Sequence, residues 1–248
     1  MLRFKIALEY VGTRYSGWQK QKNSRTIQGE IISAVEKAFS RTRGDNKFID
    51  LQGSGRTDAG VHAIEQIAHL DCETNLAPHI LMLKLNDELP SDINILDIAK
   101  TTQSFHARHS AVSRQYLYRI SRRRTAFEKK YVWWIKDELD SEVMAKCAEL
   151  FVGRKDFASF SEPDEENKST IVNVEMIELF EEDDLIIFRI KASHFLWKMV
   201  RRLTGVLAEA GRGNLSATEI SMYLEKYSNN PSHYTAPPSG LFLEKVSY

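Results

Sequence analysis

The sequence has 248 residues, with 34 basic and 34 acidic side chains and a formal net charge of zero. Its 42% hydrophobic and 27% charged residues are an ordinary globular composition, and the length allows one large domain or two smaller ones. The two cysteines, Cys72 and Cys147, are isolated, which argues against a disulfide framework or a zinc site. Met1 is not followed by a signal-peptide segment, and the chain has no long apolar run, so we expect a cytoplasmic protein without a membrane span.

The first half of the chain alternates between strand and helix patterns. Apolar and charged residues alternate from Leu2 to Tyr10, which predicts a half-buried strand. Apolar residues recur at helical spacing over residues 26–40, which predicts an amphipathic helix. Three elements follow: a strand from Ile64 to Cys72, a short helix ending before Pro90 and a strand from Asn94 to Ala99.

The second half shows the same mixture. Alternation at Tyr116, Tyr118 and Ile120 predicts a strand. The predicted elements after it are a helix from Ser141 to Val152, a hairpin over 171–193 that turns at the acidic run Glu181 to Asp184, a helix over 195–210, a helix opened by the capping box of Ser216 and Glu219, and a strand from Leu241 to Tyr248. Strands and helices alternate without regular parallel βα units, so the predicted class is α+β with mixed, mostly antiparallel sheets.

A glycine-rich stretch at residues 53–62, Gly-Ser-Gly-Arg-Thr-Asp-Ala-Gly-Val-His, interrupts these elements. It fits neither the dinucleotide fingerprint nor the P-loop. Its glycines permit positive φ values, and its one carboxylate, Asp58, has Arg56 two residues before it. The loop is therefore predicted to present a single anion.

Basic residues concentrate in the segment from Phe105 to Lys130. The basic residues are Arg108, Arg114, Arg119, Arg122, Arg123, Arg124, Lys129 and Lys130. Glu128 is the one acidic residue in the same segment. A basic cluster on a neutral protein predicts a phosphate-binding surface, and a solvated basic hairpin is the alternative.

Five blocks, in order, resemble one family from end to end. They are Tyr-Val-Gly-Thr-Arg-Tyr-Ser-Gly-Trp-Gln-Lys-Gln at 10–21, the loop at 53–62, the stretch from Phe-His-Ala-Arg to Arg-Gln-Tyr-Leu-Tyr-Arg-Ile at 105–120, Phe-Leu-Trp-Lys-Met-Val-Arg and the following Gly at 195–205, and Ala-Pro-Pro-Ser-Gly-Leu-Phe-Leu at 236–243. Together they are similar to the TruA-type tRNA pseudouridine synthases.

The resemblance implies the pseudouridine synthase fold, with two α/β halves flanking a central catalytic cleft. Carried to this chain, residues 1–104 form the half with the catalytic Asp loop, and residues 105–248 form the half with the Tyr, Arg and Leu of the pocket. It also implies a homodimer acting on uridines at positions 38–40 of the tRNA anticodon stem-loop.

The reaction that this family catalyses breaks the N1–C1′ bond of uridine, turns the base and forms a C5–C1′ bond. It needs no metal or redox cofactor, and we expect none. Asp58 supplies the carboxylate, which could attack C6, attack C1′ or help abstract a sugar proton.

Four further residues match the family's pocket. Arg201 matches the arginine that keeps the carboxylate charged, and Tyr116 the tyrosine that stacks on the uracil. Leu241 matches the apolar residue on the other side, and Arg56 the arginine that holds the target nucleotide out of its stack. A solvent-facing Arg201 and core residues Tyr116 and Leu241 are the plain alternatives.

Several other residues carry weaker signals. His194, Lys198, Arg201 and Gly205 share a predicted helical stripe that can face a cleft. We expect Arg202 to be solvated or to face RNA. The four tryptophans, at positions 18, 133, 134 and 197, are expected in the core. His106 and His109 have a His-x-x-His spacing without a nearby Cys or carboxylate pattern, so no metal is predicted there.

Two other classes stay open from sequence alone. One is an RNA-binding relative that has lost catalysis, or a synthase that acts on a different RNA site. The other is a carboxylate-dependent hydrolase or nuclease, which would need a second well-placed acid.

Overall fold

The computed structural model describes residues 1–164 and 169–248. These residues form ten β-strands and six α-helices, and most strand pairs are antiparallel, so the predicted α+β class is confirmed. They divide into two compact units: Met1–Val112 with Leu243–Tyr248, and Ser113–Phe242. The sequence-based division at residue 104 assigned 105–112 and 243–248 to the second half, and the division of function between residues 1–104 and 105–248 stays a prediction.

The first unit is a sheet with two helices. Its elements are β1 (Leu2–Tyr10), α1 (Ile27–Ser40), β2 (Lys47–Gly53), β3 (His62–Glu73), α2 (Pro78–Glu88), β4 (Ile93–Thr101) and the greater part of β10 (Leu241–Ser247). The strand order is β4-β1-β3-β10, with β2 paired to β3. The predicted alternation of β1 is confirmed, since Phe4, Ile6 and Leu8 are buried. Thr26 caps α1 by accepting from the amide of Gly29 at 3.3 Å.

The second unit combines four helices with a smaller sheet. Its elements are β5 (Ser113–Ser121), β6 (Trp133–Trp134), α3 (Ser141–Glu149), β7 (Gly153–Asp156), β8 (Ile171–Glu182), β9 (Leu185–Ala192), α4 (Met199–Gly211), α5 (Ala217–Glu225) and α6 (Asn230–His233). The strand order is β5-β9-β8-β7, and the short β6 runs parallel to β5. The hairpin β8–β9 and the capping box of Ser216 and Glu219 are both confirmed.

Helix α4 starts later than its periodicity predicted. The predicted start was residue 195, but Lys198 adopts a left-handed conformation with φ of 62°, and the helix begins at Met199. The polar stripe predicted from His194 to Gly205 is therefore wrong. His194 and Lys198 precede the helix, and Gly205 is buried, with the carbonyl oxygen of Tyr234 only 1.4 Å from where a Cβ would stand.

Both cysteines are free and buried, Cys72 in β3 and Cys147 in α3. Burial raises the pKa of the Cys72 thiol to about 12 and also raises that of Cys147. In the part of the chain that the structure describes, no helix is both long enough and apolar enough to cross a membrane.

Candidate active site

The glycine-rich loop connects β2 to β3 in the first unit, and Asp58 lies half-buried within it. The amide of Val61 donates to the carbonyl of Asp58 at 3.1 Å, and Gly60 has a φ of 82°. Asp58 therefore opens a tight turn that needs glycine at its left-handed position. Gly53 and Gly55, expected to provide positive φ as well, lie outside that region of φ.

The segment at residues 10–18 holds this loop through four hydrogen bonds. Trp18 N donates to Thr57 O at 3.0 Å, and Gly60 N donates to Tyr15 O at 3.3 Å. Gly12 N donates to His62 Nδ1 at 3.1 Å, and the hydroxyls of Tyr10 and Thr57 are 2.8 Å apart. The first two motifs of the sequence thus fold into one structure.

Glycine is required where these two segments meet. A Cβ on Gly12 would stand 1.8 Å from the carbonyl oxygen of Val61, and one on Gly17 would stand 2.6 Å from that of Thr57. Such distances are far below any van der Waals contact, so a side chain at either position would displace backbone. The close approach fixes the loop that carries Asp58.

Trp18 and Tyr15 support the loop from the core side. Trp18 is 2% exposed, as predicted for a core residue, and its indole would lie 2.6 Å from a Cβ on Gly53. The Tyr15 hydroxyl donates to Asp92 Oδ1 at 2.5 Å. Burial, followed by the hydrogen bond and charge of Asp92, raises the pKa of Tyr15 well above its ordinary value. Sequence reasoning missed this tyrosine, which gave no signal except its place in the first motif.

The second unit contains Tyr116, Arg201 and Leu241. Tyr116 is buried in β5 opposite Ile190, and its ring meets that of Phe195 edge-on at a centroid distance of 4.9 Å. Leu241 is buried at the start of β10. Arg201 lies in the first turn of α4, where its Nε donates to the carbonyl of Ala236 at 2.7 Å. The segment that leads to Leu241 therefore also orients Arg201.

Tyr118, two residues along the same strand, is a core tyrosine. Its hydroxyl donates to the carbonyl of Pro237 at 2.7 Å, and a Cβ on Gly240 would stand 2.6 Å from its ring. Burial raises the pKa of Tyr118 well above its ordinary value, so it stays protonated at neutral pH. It braces the segment before Leu241.

The remaining predicted binding residues are distributed over both units. Arg56 is exposed in the Asp58 loop, and Arg108 is half-buried in the first unit. In the second unit, Arg114 donates to the carbonyl of Ser193 at 3.0 Å. Arg114 is thereby fixed at the start of β5.

The arginines at 122–124 are exposed but already have protein partners. Arg122 makes two hydrogen bonds to Glu181, of 3.0 and 2.8 Å, and Arg123 Nε donates to Asp184 at 2.8 Å. Arg124 lies over the ring of Trp134 at 5.8 Å. The acidic turn of the β8–β9 hairpin therefore supplies the partners of Arg122 and Arg123, a pairing that the distance in sequence concealed.

Three expectations about individual side chains are wrong. Trp134 and Trp197 are 42% and 48% exposed and do not belong to the core, and Trp133 is half-buried. Arg202, expected to be solvated or to face RNA, is 3% exposed and donates to the carbonyl of Ser161 at 2.7 Å.

The histidines of the His-x-x-His spacing belong to a row of three rings. His69 and His106 are 4.7 Å apart, and His106 and His109 are 4.3 Å apart, between centroids. Nδ1 of His69 accepts from the amide of Ala107, and Nδ1 of His106 accepts from the amide of Arg108, both at 3.2 Å. Burial is the main cause that lowers the pKa of His69 and of His106. Among residues 1–164 and 169–248, no cluster of three or more His, Cys, Asp or Glu could hold a metal ion.

Comparison with known proteins agrees with the motifs. The family model described as tRNA pseudouridine synthase matches residues 6–110 and 147–248. The tRNA pseudouridine synthase A of Agrobacterium fabrum is 37% identical over 253 residues, covering all of this chain and 93% of its own. That of Bartonella tribocorum is 38% identical and covered completely in both chains, and that of Brucella ovis is 36% identical, covering all of this chain and 98% of its own.

Among solved structures, the archaeal box H/ACA sRNP Nop10-Cbf5 complex aligns with 95% of this chain and 59% of its own at 10% identity, with a TM-score of 0.37 that is too low to inform on this protein. The class defined by the sequence matches is that of isomerases, because pseudouridine contains the same atoms as uridine. The chain belongs to the tRNA pseudouridine synthase family, which confirms the resemblance of the five blocks.

Proposed function

We propose that the protein converts uridine to pseudouridine at positions 38–40 of the tRNA anticodon stem-loop, with Asp58 as the catalytic carboxylate. The observation that carries this proposal is the braced loop: four hydrogen bonds from residues 10–18 hold it, and two glycines let the backbones meet. Full-length relatives named tRNA pseudouridine synthase A support tRNA as the substrate. The anticodon site follows from the family resemblance.

The chemistry asks for one positioned, ionised carboxylate. Whether Asp58 attacks C6, attacks C1′ or assists removal of a sugar proton, the negative form is the reactive one. Every atom of uridine is kept, so neither an oxidant nor a co-reactant enters the balance, and no cofactor is proposed. A loop held by its backbone keeps the carboxylate oriented when the base turns.

We assign Arg201 as the counter-charge that keeps Asp58 ionised. The hydrogen bond from its Nε to Ala236 supports the assignment, because one edge of the guanidinium is fixed before substrate binds. Arg201 also stands at the position where the family's motif has the arginine that keeps the catalytic carboxylate charged. An arginine remains charged at all relevant pH values, so it serves as a constant electrostatic partner.

Tyr116 and Leu241 are proposed to hold the uracil. The edge-on contact of Phe195 restricts the ring of Tyr116 and leaves an aromatic face suited to stacking on a base. Leu241 supplies the apolar opposite wall in this proposal. Both side chains are buried, so a flipped base would enter a site with restricted side chains.

The outer arginines are proposed to bind the RNA itself. Exposed Arg56 is assigned to the space that the extruded nucleotide leaves, and Arg108 and Arg114 to nearby phosphates. Arg122, Arg123 and Arg124 are assigned to phosphates farther out. Because acids already pair two of these three, their net contribution to binding is proposed to be modest.

We further propose that the enzyme is a cytoplasmic homodimer in which one tRNA contacts both subunits. The family resemblance supports this assembly. Light scattering of the pure protein, with and without tRNA, measures it: a mass of two chains is expected, and a single chain at micromolar concentration would contradict it.

The decisive experiment maps pseudouridine in tRNA after incubation with wild-type protein and with Asp58→Asn. Wild type should modify positions 38–40, whereas the amide variant should bind tRNA and form no product, because it keeps the shape and loses the charge. Asp97→Asn, at an exposed acid of β4 in the same unit, is the matched control and should retain full activity. Product from Asp58→Asn would refute the catalytic assignment, and product at other positions would refute the anticodon site.

A further inference from the structure

Helix α4, which carries Arg201, begins without the capping that usually fixes a helix N-terminus. Lys198 occupies the N-cap with a φ of 62°, a strained conformation for a residue with a side chain. In the described chain, the side chain of Lys198 makes no capping hydrogen bond, and the first turn has no acidic residue. Another contact must fix the direction of this turn.

Arg202 makes that contact from the buried side. It is 3% exposed, and its guanidinium donates to the carbonyl of Ser161 at 2.7 Å and to Glu162 Oε1 at 2.5 Å. The amide of Glu162 in turn donates to the carbonyl of Trp197 at 3.0 Å. Residues 161 and 162 therefore hold the chain on both sides of the helix start, just before it and in its first turn.

The opposite side of the same turn is held through Arg201. Its carbonyl accepts from the amide of Ala236 at 3.0 Å, while its Nε donates to the carbonyl of Ala236 at 2.7 Å. One turn farther, Gly205 lies directly against the carbonyl of Tyr234. Two adjacent arginines thus tie the start of α4 to two different segments.

Arg202 is a poor choice for stability alone. Its Nε is buried and has no hydrogen-bond partner among the described residues, which is a cost that an apolar side chain would not have. Buried ion pairs are often no more stabilising than apolar residues of similar volume, but their directed hydrogen bonds fix geometry. Glu162 also contacts Lys198 at 3.4 Å, so it would keep a cationic partner if Arg202 were replaced.

We propose that Arg202 is a positioning residue, which sets the direction in which α4 presents Arg201 to the reaction. It touches no reacting atom and acts through its neighbour. The inference rests on the proposed function for its effect on rate. The effect on the helix start itself does not depend on that function.

The test compares Arg202→Met with a matched arginine at the other end of α4. Arg212 donates to Asp137 at 2.8 Å and also to Glu209, so Arg212→Met removes a similar ion pair from the same helix. Arg202→Met should slow single-turnover pseudouridine formation at saturating tRNA by about 100-fold, because small displacements of a reacting group have effects of that size. Its tRNA affinity and melting temperature should stay near wild type, and Arg212→Met should keep the wild-type rate.

Two further variants separate positioning from general structure. Arg202→Lys keeps the positive charge but replaces the planar guanidinium, which donates in several fixed directions, with a compact ammonium group. An intermediate rate is therefore expected. In an Arg201→Lys background, Arg202→Met should cause no further loss, because the residue through which it acts is already altered. The proposal would be overturned if the rate losses of Arg201→Lys and Arg202→Met multiplied in the double variant. It would also be overturned if Arg202→Met kept the wild-type rate, or if Arg212→Met lost as much rate as Arg202→Met.

Hydrogen exchange provides a measurement that needs no activity. Arg202→Met should accelerate exchange of the amides of Met199 and Leu203, in and next to the first turn, and leave α5 unchanged. If wild type forms no pseudouridine, the proposed function fails, while this measurement still decides whether Arg202 holds the helix start. Unchanged exchange would overturn the proposal.

Discussion

The loop around Asp58 and the basic stretch at 122–124 are held in opposite ways. The loop is fixed by backbone hydrogen bonds and by glycines that allow the main chains to meet. The basic stretch is exposed, and ion pairs between long side chains connect it to the acidic hairpin turn. An added Cβ at Gly12 or Gly17 would meet backbone, whereas exposed ion pairs can exchange partners.

This difference matches two different requirements. A group that takes part in bond breaking loses rate with small displacements, so rigid backbone support suits it. Phosphate contacts add to affinity over a range of positions, so mobile side chains in exchangeable ion pairs are sufficient.

The largest effect should separate rate from affinity. Arg201→Ala should lower the single-turnover rate by about 100- to 1000-fold, the range for losing one electrostatic contact to a reacting charge, and change tRNA affinity little. Replacing Arg122, Arg123 and Arg124 together with alanine should weaken binding, reduce its salt dependence and leave the saturating rate nearly unchanged. Single-turnover assays at several tRNA concentrations measure both. The reverse pattern would show that the roles of the two sets are exchanged.

The second effect concerns the close approach behind the loop. Gly12→Ala should displace the backbone at Val61, cost about 1–3 kcal/mol of unfolding free energy and slow the reaction roughly 100-fold. Gly55→Ala is the control within the loop, since no described residue other than its two chain neighbours lies within 4 Å of its Cβ position. Thermal unfolding should distinguish them. Equal melting temperatures for both variants would mean that the contact at Gly12 relaxes freely.

A smaller effect should arise from the acidic turn. Glu181→Gln with Asp184→Asn should release Arg122 and Arg123 from their partners and tighten tRNA binding severalfold, with a steeper dependence on salt. The control variant carries Glu142→Gln and Glu149→Gln, at two exposed acids of α3. Asp137 and Glu138 are less suitable, because Asp137 pairs with Arg212. Titrations at two salt concentrations would decide. Weaker binding by the acid-free turn would indicate that the ion pairs hold the arginines in their binding geometry.

The smallest effect is the pH dependence of stability. Burial, with Arg3 and His106 nearby, lowers the pKa of His69 below its ordinary 6.5. The unfolded chain therefore binds a proton more readily, so this residue destabilises the fold as pH falls below about 6.5 and has no effect above it. His69→Gln should flatten the decline in urea midpoint between neutral and mildly acidic pH. A slope equal to that of wild type would exclude His69 as its source.

The parts of the fold that could be predicted follow regular patterns. Alternation located β1, the acidic run located the turn of the β8–β9 hairpin, helical spacing located α1 and the capping box located α5. The strand β2 was missed because a register shift between Phe48 and Asp50 interrupts its alternation, which leaves Phe48 and Ile49 as consecutive apolar residues. The start of α4 was placed too early because Phe195 continues the helical spacing, and periodicity carries no information about the left-handed backbone at Lys198.

Residues of the candidate site differ in the same way. The Asp58 loop could be recognised because its glycines and its charge are adjacent in sequence. The burial of Arg202 could not be predicted from the sequence, because its partners lie 40 or more residues away and an arginine is normally exposed. The pairing of Arg122 and Arg123 with the acidic turn could be predicted only from the register of β5 and β9. That register places residue 121 opposite residue 185.

Because both cysteines are buried, the folded protein should react little with thiol reagents. Only the thiolate reacts, and burial disfavours it at both positions, so maleimide or disulfide reagents should leave the native protein unlabelled. A single cysteine introduced at Phe127, which is 97% exposed, would then be the one reactive site. A dye attached there would report RNA docking on the basic stretch, and delayed labelling of Cys72 would time the opening of the first unit.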